Sequence, residues 1–337
     1  MASLKTAKIF DHATRVTLKG MKESVEVPAS CCGTWAWGDK RSWGYEESRD
    51  LPGIKEVWGQ LNKAKLGFYD TAEGYGNNEN ERIMGRLLKD TPESDKKDII
   101  IATKWIPAPT FFGRWWPVGM VGALKNSLER LGVEQVDLYQ VHIPVFWFYS
   151  IENIAKQLAE CVNLGLTKTV GVSNYNKEQM IQMHDALAKY GVPLASNQIE
   201  FNLLRRVPES SGLLAACHER GIVPLAYSPL GMGRLTGKYN SKNPPPSGRV
   251  YGNQPWEKID PLLDAMKDIG AKHGVPLSAV ALNWTMCKGT IPLGGARNGN
   301  QCGQNIQALG FRLTDEEVAK LDELAMDGNT IAIVQAG

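Results

Sequence analysis

The sequence lacks both a long apolar run and an excess of charge of either sign. Nowhere in its 337 residues does an apolar stretch reach the roughly 20 residues that cross a bilayer. The N-terminus also lacks the apolar segment of a secretory signal. Lys and Arg number 38 against 36 Asp and Glu, a formal net charge of +2. That balance gives no electrostatic basis for binding nucleic acid or an acidic membrane, so we expect neither among the partners.

Cysteine is sparse, and its spacing excludes ordinary cysteine-based sites. No C-x-x-C pair occurs, and the two adjacent cysteines suit neither a zinc site nor an ordinary disulfide. The six cysteines are at positions 31, 32, 161, 217, 287 and 302. We therefore expect free thiols in a reducing compartment, with the cytoplasm as the simplest location. An organellar transit peptide removed before residue 1 would leave the same sequence.

A dinucleotide-binding glycine motif is absent as well. No G-x-G-x-x-G follows an early strand pattern, which argues against a Rossmann domain. Instead, eight short β-rich runs alternate with helical patterns, which favours a closed parallel barrel over an open sheet. The predicted strands are 31–35, 67–69, 99–103, 136–141, 169–172, 195–199, 223–226 and 290–293. The predicted helices between them include 54–66, 79–88, 121–131, 151–164, 178–190 and 212–220. A (β/α)₈ TIM barrel needs about 250 residues, so we expect residues 1–337 to form a single α/β barrel domain.

Two segments depart from this alternation. A long irregular loop covers about 228–256 and includes three consecutive prolines at 244–246. Loops of that length in a compact domain are usually functional, so we expect it to clasp a ligand. A helical tail is expected over about 300–337. In it, Thr314 and Glu317 have the spacing of a capping box that opens a helix through 318–324.

Polar side chains stand at the predicted carboxyl ends of several strands, the edge where barrels of this type build their active sites. Asp70, Lys104 and His142 end three consecutive strands. The others are Tyr75 in the loop after Asp70, Ser173 and Asn174 at the end of the fifth strand, and Gln198 in the sixth. Because these ends meet at one edge of the barrel, the side chains are expected to converge.

The residue types in this set suit proton transfer to a carbonyl oxygen. Tyr75 could donate the proton, and Lys104 beside it would lower a phenol pKa that is ordinarily near ~10. Asp70 would hold Lys104 charged, and His142 could hydrogen-bond to the carbonyl oxygen and polarise it. Each residue alone is more often a rim charge or a packing residue. As a set on adjacent strand ends, they favour a catalytic site.

Seven segments extend this set into a resemblance that runs along nearly the whole chain. They are FYDTAEGYG at 68–76, ATK at 102–104, DLYQVH at 137–142, GVSNY at 171–175, NQIE at 197–200, YSPLG at 227–231 and IPLGGAR at 291–297. In these segments the sequence resembles the aldo-keto reductases. The resemblance implies a (β/α)₈ barrel that binds extended NADP(H) and needs neither metal nor flavin. It also implies that Asp70, Tyr75, Lys104 and His142 are catalytic, with Tyr75 as the general acid.

The resemblance further implies a cofactor site. Residues expected at the nicotinamide end are Gly33, Thr34, Trp35, Asp70, Ser173, Asn174, Gln198 and Tyr227. Residues expected around the pyrophosphate are Ser228, Leu230, Gly233, Leu235, Gly237 and Lys238. Residues expected at the adenosine and 2′-phosphate end are Gly294, Ala296, Arg297, Gln301, Gln304 and Asn305. The preference for NADP(H) depends mainly on Arg297, whose planar guanidinium suits a phosphate. Gln301 and Gln304 stand where the family often has Arg or Lys and Glu.

Aromatic residues are frequent after the first, third and fourth strands, and ten tryptophans are many for this length. Several lie in a loop where no strand or helix period would bury them, and exposed aromatic clusters mark binding surfaces. The residues predicted to line the substrate pocket are Trp37, Trp105, Phe111, Trp115 and Trp147. The pocket would be largely apolar and would take aromatic or alkyl aldehydes and ketones.

The sequence is therefore compatible with three hypotheses for the function. The first is an NADP(H)-dependent reductase of small-molecule carbonyls, with a pyridoxal-reducing member as one possibility within the family. The second is a non-catalytic module that binds the cofactor, similar to the β subunits of voltage-gated potassium channels, which retain cofactor yet act mainly as partners. The third is a barrel enzyme without redox chemistry that uses Lys104 as a Schiff base, although the nucleotide-binding loop would then have no role.

Overall fold

Eight of the ten strands form one parallel sheet in the computed structural model, which describes residues 4–107, 119–144, 149–245, 252 and 254–328. The strands are β1 Arg15–Leu18, β2 Val25–Pro28, β3 Cys32–Gly33, β4 Phe68–Asp70, β5 Ile100–Trp105, β6 Val136–Val141, β7 Thr167–Ser173, β8 Leu194–Glu200, β9 Val223–Tyr227 and β10 Ile291–Pro292. Strands β3 to β10 pair in chain order. Cys31 pairs in parallel with Leu293, and its N–H donates to the Pro292 carbonyl at 2.9 Å. These bonds close the predicted (β/α)₈ barrel.

The helices follow the strands as the alternation predicts. They are α1 Lys40–Trp43, α2 Glu47–Lys63, α3 Glu79–Asp90, α4 Glu93–Lys96, α5 Met120–Leu131, α6 Ile151–Asn163, α7 Lys177–Ala188, α8 Val207–Ser210, α9 Leu213–Arg220, α10 Trp256–His273, α11 Leu277–Cys287, α12 Gly299–Ile306 and α13 Asp315–Leu324. Helix α2 begins well before the predicted residue 54 and includes Pro52. The buried side chains of Ile54, Val57 and Leu61 recur at helical spacing and hold that helix to the barrel.

The N-terminal hairpin of β1 and β2 was not predicted. Its strands have four residues each and show no clear alternation of buried and exposed positions. The hairpin lies against the amino ends of the barrel strands: Lys22 Nζ donates to the Asn163 carbonyl at 3.1 Å, just before β7 begins. It therefore covers the edge of the barrel opposite to the polar strand ends.

The predicted start of the last helix is confirmed. Thr314 Oγ1 accepts from the Glu317 N–H at 3.2 Å, and Glu317 Oε2 accepts from the Thr314 N–H at 3.1 Å. This reciprocal capping box opens α13. Among the helices of the described ranges, none is both long and apolar enough to cross a membrane.

The loop between β9 and α10 is not wholly irregular. It begins with a 3₁₀ turn, Gly231–Thr236, in which Met232 and Gly233 have φ of 53° and 93°. Residues 246–251 and 253 of this loop lie outside the described ranges. The turn follows the carboxyl end of β9, so it stands on the same side of the barrel as the predicted site.

Candidate active site

Lys104 lies at the centre of the polar cluster and joins two of its members. Its side chain has no exposed surface. Nζ donates to Asp70 Oδ2 at 2.5 Å, to the Thr71 carbonyl at 2.8 Å and to Tyr75 Oη at 3.0 Å. Three acceptors use all three protons of an ammonium group. The structure therefore holds Lys104 as a charged, fixed donor between the carboxylate and the phenol.

Burial and charge oppose each other at this cluster. Burial opposes the charge on Lys104, yet Asp70 and Tyr75 outweigh it and raise the lysine pKa. For Tyr75 the largest effect is burial, which raises the phenol pKa, while Lys104 lowers it by a smaller amount. Lys104 thus acts in the predicted direction. The expected net lowering of the Tyr75 pKa is wrong, because the phenolate loses more solvation than the single ammonium restores.

His142 follows β6 and stands edge-on to Tyr75, with ring centroids 5.5 Å apart. Burial and the Lys104 charge hold the pKa of His142 well below its usual range, so the ring is neutral. Its Nδ1 is buried and has no hydrogen-bond partner within the described residues. A buried N–H without an acceptor costs more than a bare ring nitrogen, which favours the proton on Nε2. His142 is therefore suited to donate from Nε2 without carrying charge.

The second oxygen of Asp70 is held by two amides. Gln198 Nε2 donates to Asp70 Oδ1 at 2.8 Å, and Gln140 Nε2 donates to the same atom at 3.2 Å. Gln140 was not predicted as a site residue. Alternate residues of a strand share a face, so its position two residues before His142 could have indicated that it points into the barrel.

Asn80, also missed, connects the loops that follow β3 and β4. This fully buried amide donates from Nδ2 to the carbonyls of Thr34 and Trp37, at 2.5 and 2.7 Å. Its Oδ1 accepts from the hydroxyls of Thr34 and Thr71. Because the Thr34 hydroxyl is used here, its side chain is not exposed to a ligand, and only its backbone could meet a cofactor. The only sequence signal was a polar residue in the first turn of α3.

Ser173, Asn174 and Tyr227 come together at the ends of β7 and β9. Asn174 Nδ2 donates to Ser173 Oγ at 3.1 Å and to the His142 carbonyl at 3.0 Å, while Tyr227 Oη donates to Asn174 Oδ1 at 2.9 Å. Gln198 Oε1, by contrast, has no hydrogen-bond partner among the described residues. This leaves an open acceptor beside Asp70.

The adenosine end predicted from the sequence gathers around α12. Arg297 Nη2 pairs with Asp50 Oδ1 at 3.1 Å, and the Arg297 N–H donates to Gln301 Oε1 at 2.8 Å. Asn305 Nδ2 donates to the Gly295 carbonyl at 3.1 Å. Arg49 and, less strongly, Arg297 lower the pKa of Asp50 to about 2, so this carboxylate stays charged. A partly exposed guanidinium therefore stands beside the first turn of a helix.

Comparison with known proteins decides the family. The model of the aldo/keto reductase family matches residues 31–326. The chain belongs to the aldo/keto reductase family. It is 34% identical over 304 residues to a chloroplastic pyridoxal reductase of Arabidopsis thaliana, covering 88% of this chain and 82% of that one. It is 28% identical over 326 residues to an L-glyceraldehyde 3-phosphate reductase of Escherichia coli K12, covering 91% of each. A glycerol dehydrogenase structure from Gluconobacter oxydans matches with a TM-score of 0.75 and 28% identity, over 91% of this chain and 94% of that one.

Membership of the aldo/keto reductases makes the protein an oxidoreductase, and the fold agrees.

The aromatic residues predicted to line the substrate pocket differ in whether a ligand could reach them. Trp37 has no exposed surface, and its indole N–H donates to the Ala296 carbonyl at 2.9 Å. A ligand cannot reach it, so the prediction for Trp37 is wrong. Trp105 is 2% exposed and packs edge-on against Tyr149, so it can support a pocket but hardly line one. Phe111, Trp115 and Trp147 lie outside the described residues.

Trp35 is an aromatic residue that stands beside Tyr75. Its ring centroid lies 6.3 Å from that of Tyr75 and 5.6 Å from that of Trp43. The sequence resemblance places Trp35 at the nicotinamide end, and its position beside Tyr75 is compatible with that. Leu235, predicted near the pyrophosphate, has a fully buried side chain, so only its backbone could face a ligand.

Proposed function

We propose that this protein reduces aldehydes or ketones to alcohols with NADPH, and that Tyr75 supplies the proton. The observation that carries the proposal is the position of Lys104. Its Nζ is fully buried and lies 2.5 Å from Asp70 Oδ2 and 3.0 Å from Tyr75 Oη. A protonated phenol within reach of a fixed ammonium can give up a proton and have the resulting negative charge stabilised at once.

The side chains divide this chemistry among them. The nicotinamide, when bound, supplies the hydride. His142 is neutral and directs an N–H toward the carbonyl oxygen, which withdraws electron density from the carbonyl carbon. Tyr75 Oη then donates its proton to that oxygen, and Lys104 stabilises the phenolate. Asp70 keeps Lys104 charged and in place.

Two features of the described residues fit a nicotinamide cofactor. The open acceptor Gln198 Oε1 beside Asp70 suits a carboxamide N–H. Arg297, at the start of α12, suits a phosphate because a guanidinium can bond two of its oxygens at once. Ser228, Gly233 and Lys238 on the 3₁₀ turn and beside it would lie between these two ends and hold the pyrophosphate. The preference for NADP(H) rests on Arg297.

The geometry of Lys104 argues against the Schiff-base alternative. A lysine that forms a Schiff base must react as a neutral amine. Here Lys104 has a raised pKa and all three of its protons are bonded. The same geometry suits an ammonium that tunes a neighbouring acid. We therefore place Lys104 in proton transfer and assign no substrate bond to it.

The reductase activity is tested by adding an aromatic aldehyde to protein and NADPH. We expect the absorbance of NADPH to fall and an equal amount of alcohol to appear. A panel of alkyl and aromatic aldehydes, ketones and pyridoxal would then define the substrate class. NADPH that binds but is not consumed with any member of the panel would contradict the proposal and favour a cofactor-binding module.

The cofactor preference is tested with Arg297→Ala, using Arg41→Ala on exposed α1 as the matched control. Loss of charge-assisted hydrogen bonds should weaken NADPH binding by about 10- to 100-fold and leave NADH binding nearly unchanged. Fluorescence titration of both cofactors measures this. An equal loss for NADPH and NADH would show that Arg297 does not bind the 2′-phosphate.

A further inference from the structure

Gln140 is buried in the barrel interior, where the proposed mechanism gives it no task. Its side chain has no exposed surface. Nε2 donates to Asp70 Oδ1 at 3.2 Å, and Oε1 accepts from Gln198 Nε2 at 3.3 Å. Gln198 Nε2 donates in turn to the same Asp70 oxygen at 2.8 Å. Asp70, Gln140 and Gln198 thus form a closed hydrogen-bonded triangle, which we call the amide triangle.

A glycine on the neighbouring strand leaves space for the Gln140 side chain. A Cβ at Gly171 on the neighbouring strand β7 would lie 3.2 Å from Gln140 Cγ and would collide with Ser196 Oγ. The absence of a side chain at Gly171 therefore leaves room for Gln140, which reaches from β6 to Asp70 on β4 and Gln198 on β8. A leucine or methionine would fill the same space without hydrogen bonds, so packing alone does not require glutamine at position 140.

The amide triangle fixes which atom of Gln198 is free. Both Asp70 Oδ1 and Gln140 Oε1 are acceptors, so Gln198 must turn its NH₂ group toward them. A reversed amide would place its oxygen against two other oxygens, one of them charged. Gln198 Oε1 is consequently directed away from the triangle, as the open acceptor beside Asp70.

We propose that Gln140 is a positioning residue that couples the cofactor end of the site to its proton-donating end. This proposal rests on the proposed function, in which Gln198 Oε1 accepts a hydrogen bond from the carboxamide of the nicotinamide and Asp70 holds Lys104 in place. Gln140 bonds to both and so fixes the carboxamide acceptor relative to the carboxylate. Through Lys104, that carboxylate sets the position of Tyr75.

The first test measures cofactor binding and needs no turnover. Fluorescence titration compares NADP⁺ with its 3-acetylpyridine analogue, which lacks the carboxamide NH₂, in wild-type protein, Gln140→Met and Gln198→Met. One hydrogen bond should give wild-type protein about a fivefold preference for NADP⁺. We expect the preference to fall toward one in both variants and to persist in Gln182→Met, a matched change on the exposed face of α7. An unchanged preference in Gln140→Met would overturn the proposal.

The second test uses Gln140→Glu and the pH dependence of hydride transfer in a single turnover. Among the described residues, the titratable groups around this position are Asp70 from β4, Lys104 from β5, which is bonded to Asp70, and His142 just after β6, which stays neutral. While the introduced carboxyl group is protonated it would mimic the amide as a donor to Asp70, whereas the ionised carboxylate would repel Asp70. We expect the rate relative to wild type to fall about tenfold or more as pH rises, while Gln140→Met shows a loss of about tenfold that does not depend on pH. A rate for Gln140→Glu that follows wild type at every pH would contradict the coupling.

The outcomes separate this proposal from the proposed function. Wild-type protein that binds the cofactor but reduces no carbonyl would end the proposed function, and the analogue comparison would still decide the role of Gln140. Wild-type protein that binds no nicotinamide cofactor would overturn both. A Gln140→Met variant with wild-type unfolding, cofactor preference and rate within twofold would show that Gln140 only fills space.

Discussion

Burial is the largest influence on the pKa values of both Tyr75 and His142, and at each residue it favours the uncharged form. Burial raises the pKa of the Tyr75 phenol more than Lys104 lowers it, and burial together with Lys104 lowers the pKa of His142. Both shifts stabilise the uncharged form. Tyr75 is thereby kept protonated and His142 neutral, which are the states in which each can donate a proton or a hydrogen bond. In the proposed mechanism, Lys104 stabilises the phenolate that forms after the proton has left.

These shifts predict a wide pH plateau for reduction. In the proposed mechanism Tyr75 must be protonated, so its contribution is lost as pH rises through a pKa that lies above the ordinary 10.0. His142 becomes charged only as pH falls through a pKa below the ordinary 6.5. Single-turnover hydride transfer should therefore be independent of pH between about 6.5 and 10. A limb centred between about 7 and 9 that disappears in Tyr75→Phe would contradict this assignment.

Helix α2 packs against the segment that carries Arg297, where the adenosine end of the cofactor is predicted to bind. A Cβ at Gly53 would lie 2.5 Å from the Arg297 carbonyl oxygen and 3.2 Å from the Asn298 Cα. A Cβ at Gly59, in the same helix, would have no atom within 4 Å. The close approach at Gly53 lets α2 pack against the segment that opens α12. That contact fixes Arg297 in place together with the Asp50 carboxylate, which also belongs to α2.

The different surroundings of Gly53 and Gly59 predict opposite effects of a glycine-to-alanine substitution on the free energy of unfolding. Gly59→Ala should raise the free energy of unfolding by about 1 kcal/mol, because alanine favours a helix and the added methyl has room. Gly53→Ala should lower it by about 1–3 kcal/mol through overpacking and should also weaken NADPH binding. Urea unfolding and fluorescence titration measure the two effects. Similar gains in stability for both variants would show that α2 does not constrain the Arg297 segment.

Most of the strands and helices, but not all of them, could be predicted from the sequence. All eight barrel strands were predictable, because buried parallel strands are short apolar runs that alternate with amphipathic helices. The polar residues at their ends were predictable for the same reason. The hairpin of β1 and β2 and the start of α2 were missed, since four-residue strands and a proline-containing helix carry weak local signals. Gln140 and Asn80 were missed because their roles come from partners far away in the sequence.

Over the whole molecule, all six cysteines are buried and free. The prediction of free thiols is thus confirmed, while the reducing compartment stays a prediction. Burial raises the pKa of Cys161 and Cys217 to about 12, and that of Cys287 and Cys302 to about 11. Such thiols are almost entirely protonated near neutral pH, and a protonated thiol is a poor nucleophile.

Native protein at pH 8 should therefore react very slowly with an aromatic disulfide reagent, and all six thiols should react once it is unfolded in denaturant. The absorbance of the released thiolate counts them in both states. Rapid reaction of even one thiol in the native protein would show that this thiol is exposed, or that part of the barrel opens readily.

In the proposed mechanism Tyr75, held by Lys104, donates the proton to the carbonyl oxygen. A comparison of Tyr75→Phe with Tyr190→Phe, a change at an exposed tyrosine just after the end of α7, tests this role. Carbonyl reduction by Tyr75→Phe should fall by about 10²–10⁴-fold, with NADPH bound as tightly as by wild-type protein, while Tyr190→Phe keeps full activity. Reduction by Tyr75→Phe at the wild-type rate would show that Tyr75 is not the proton donor.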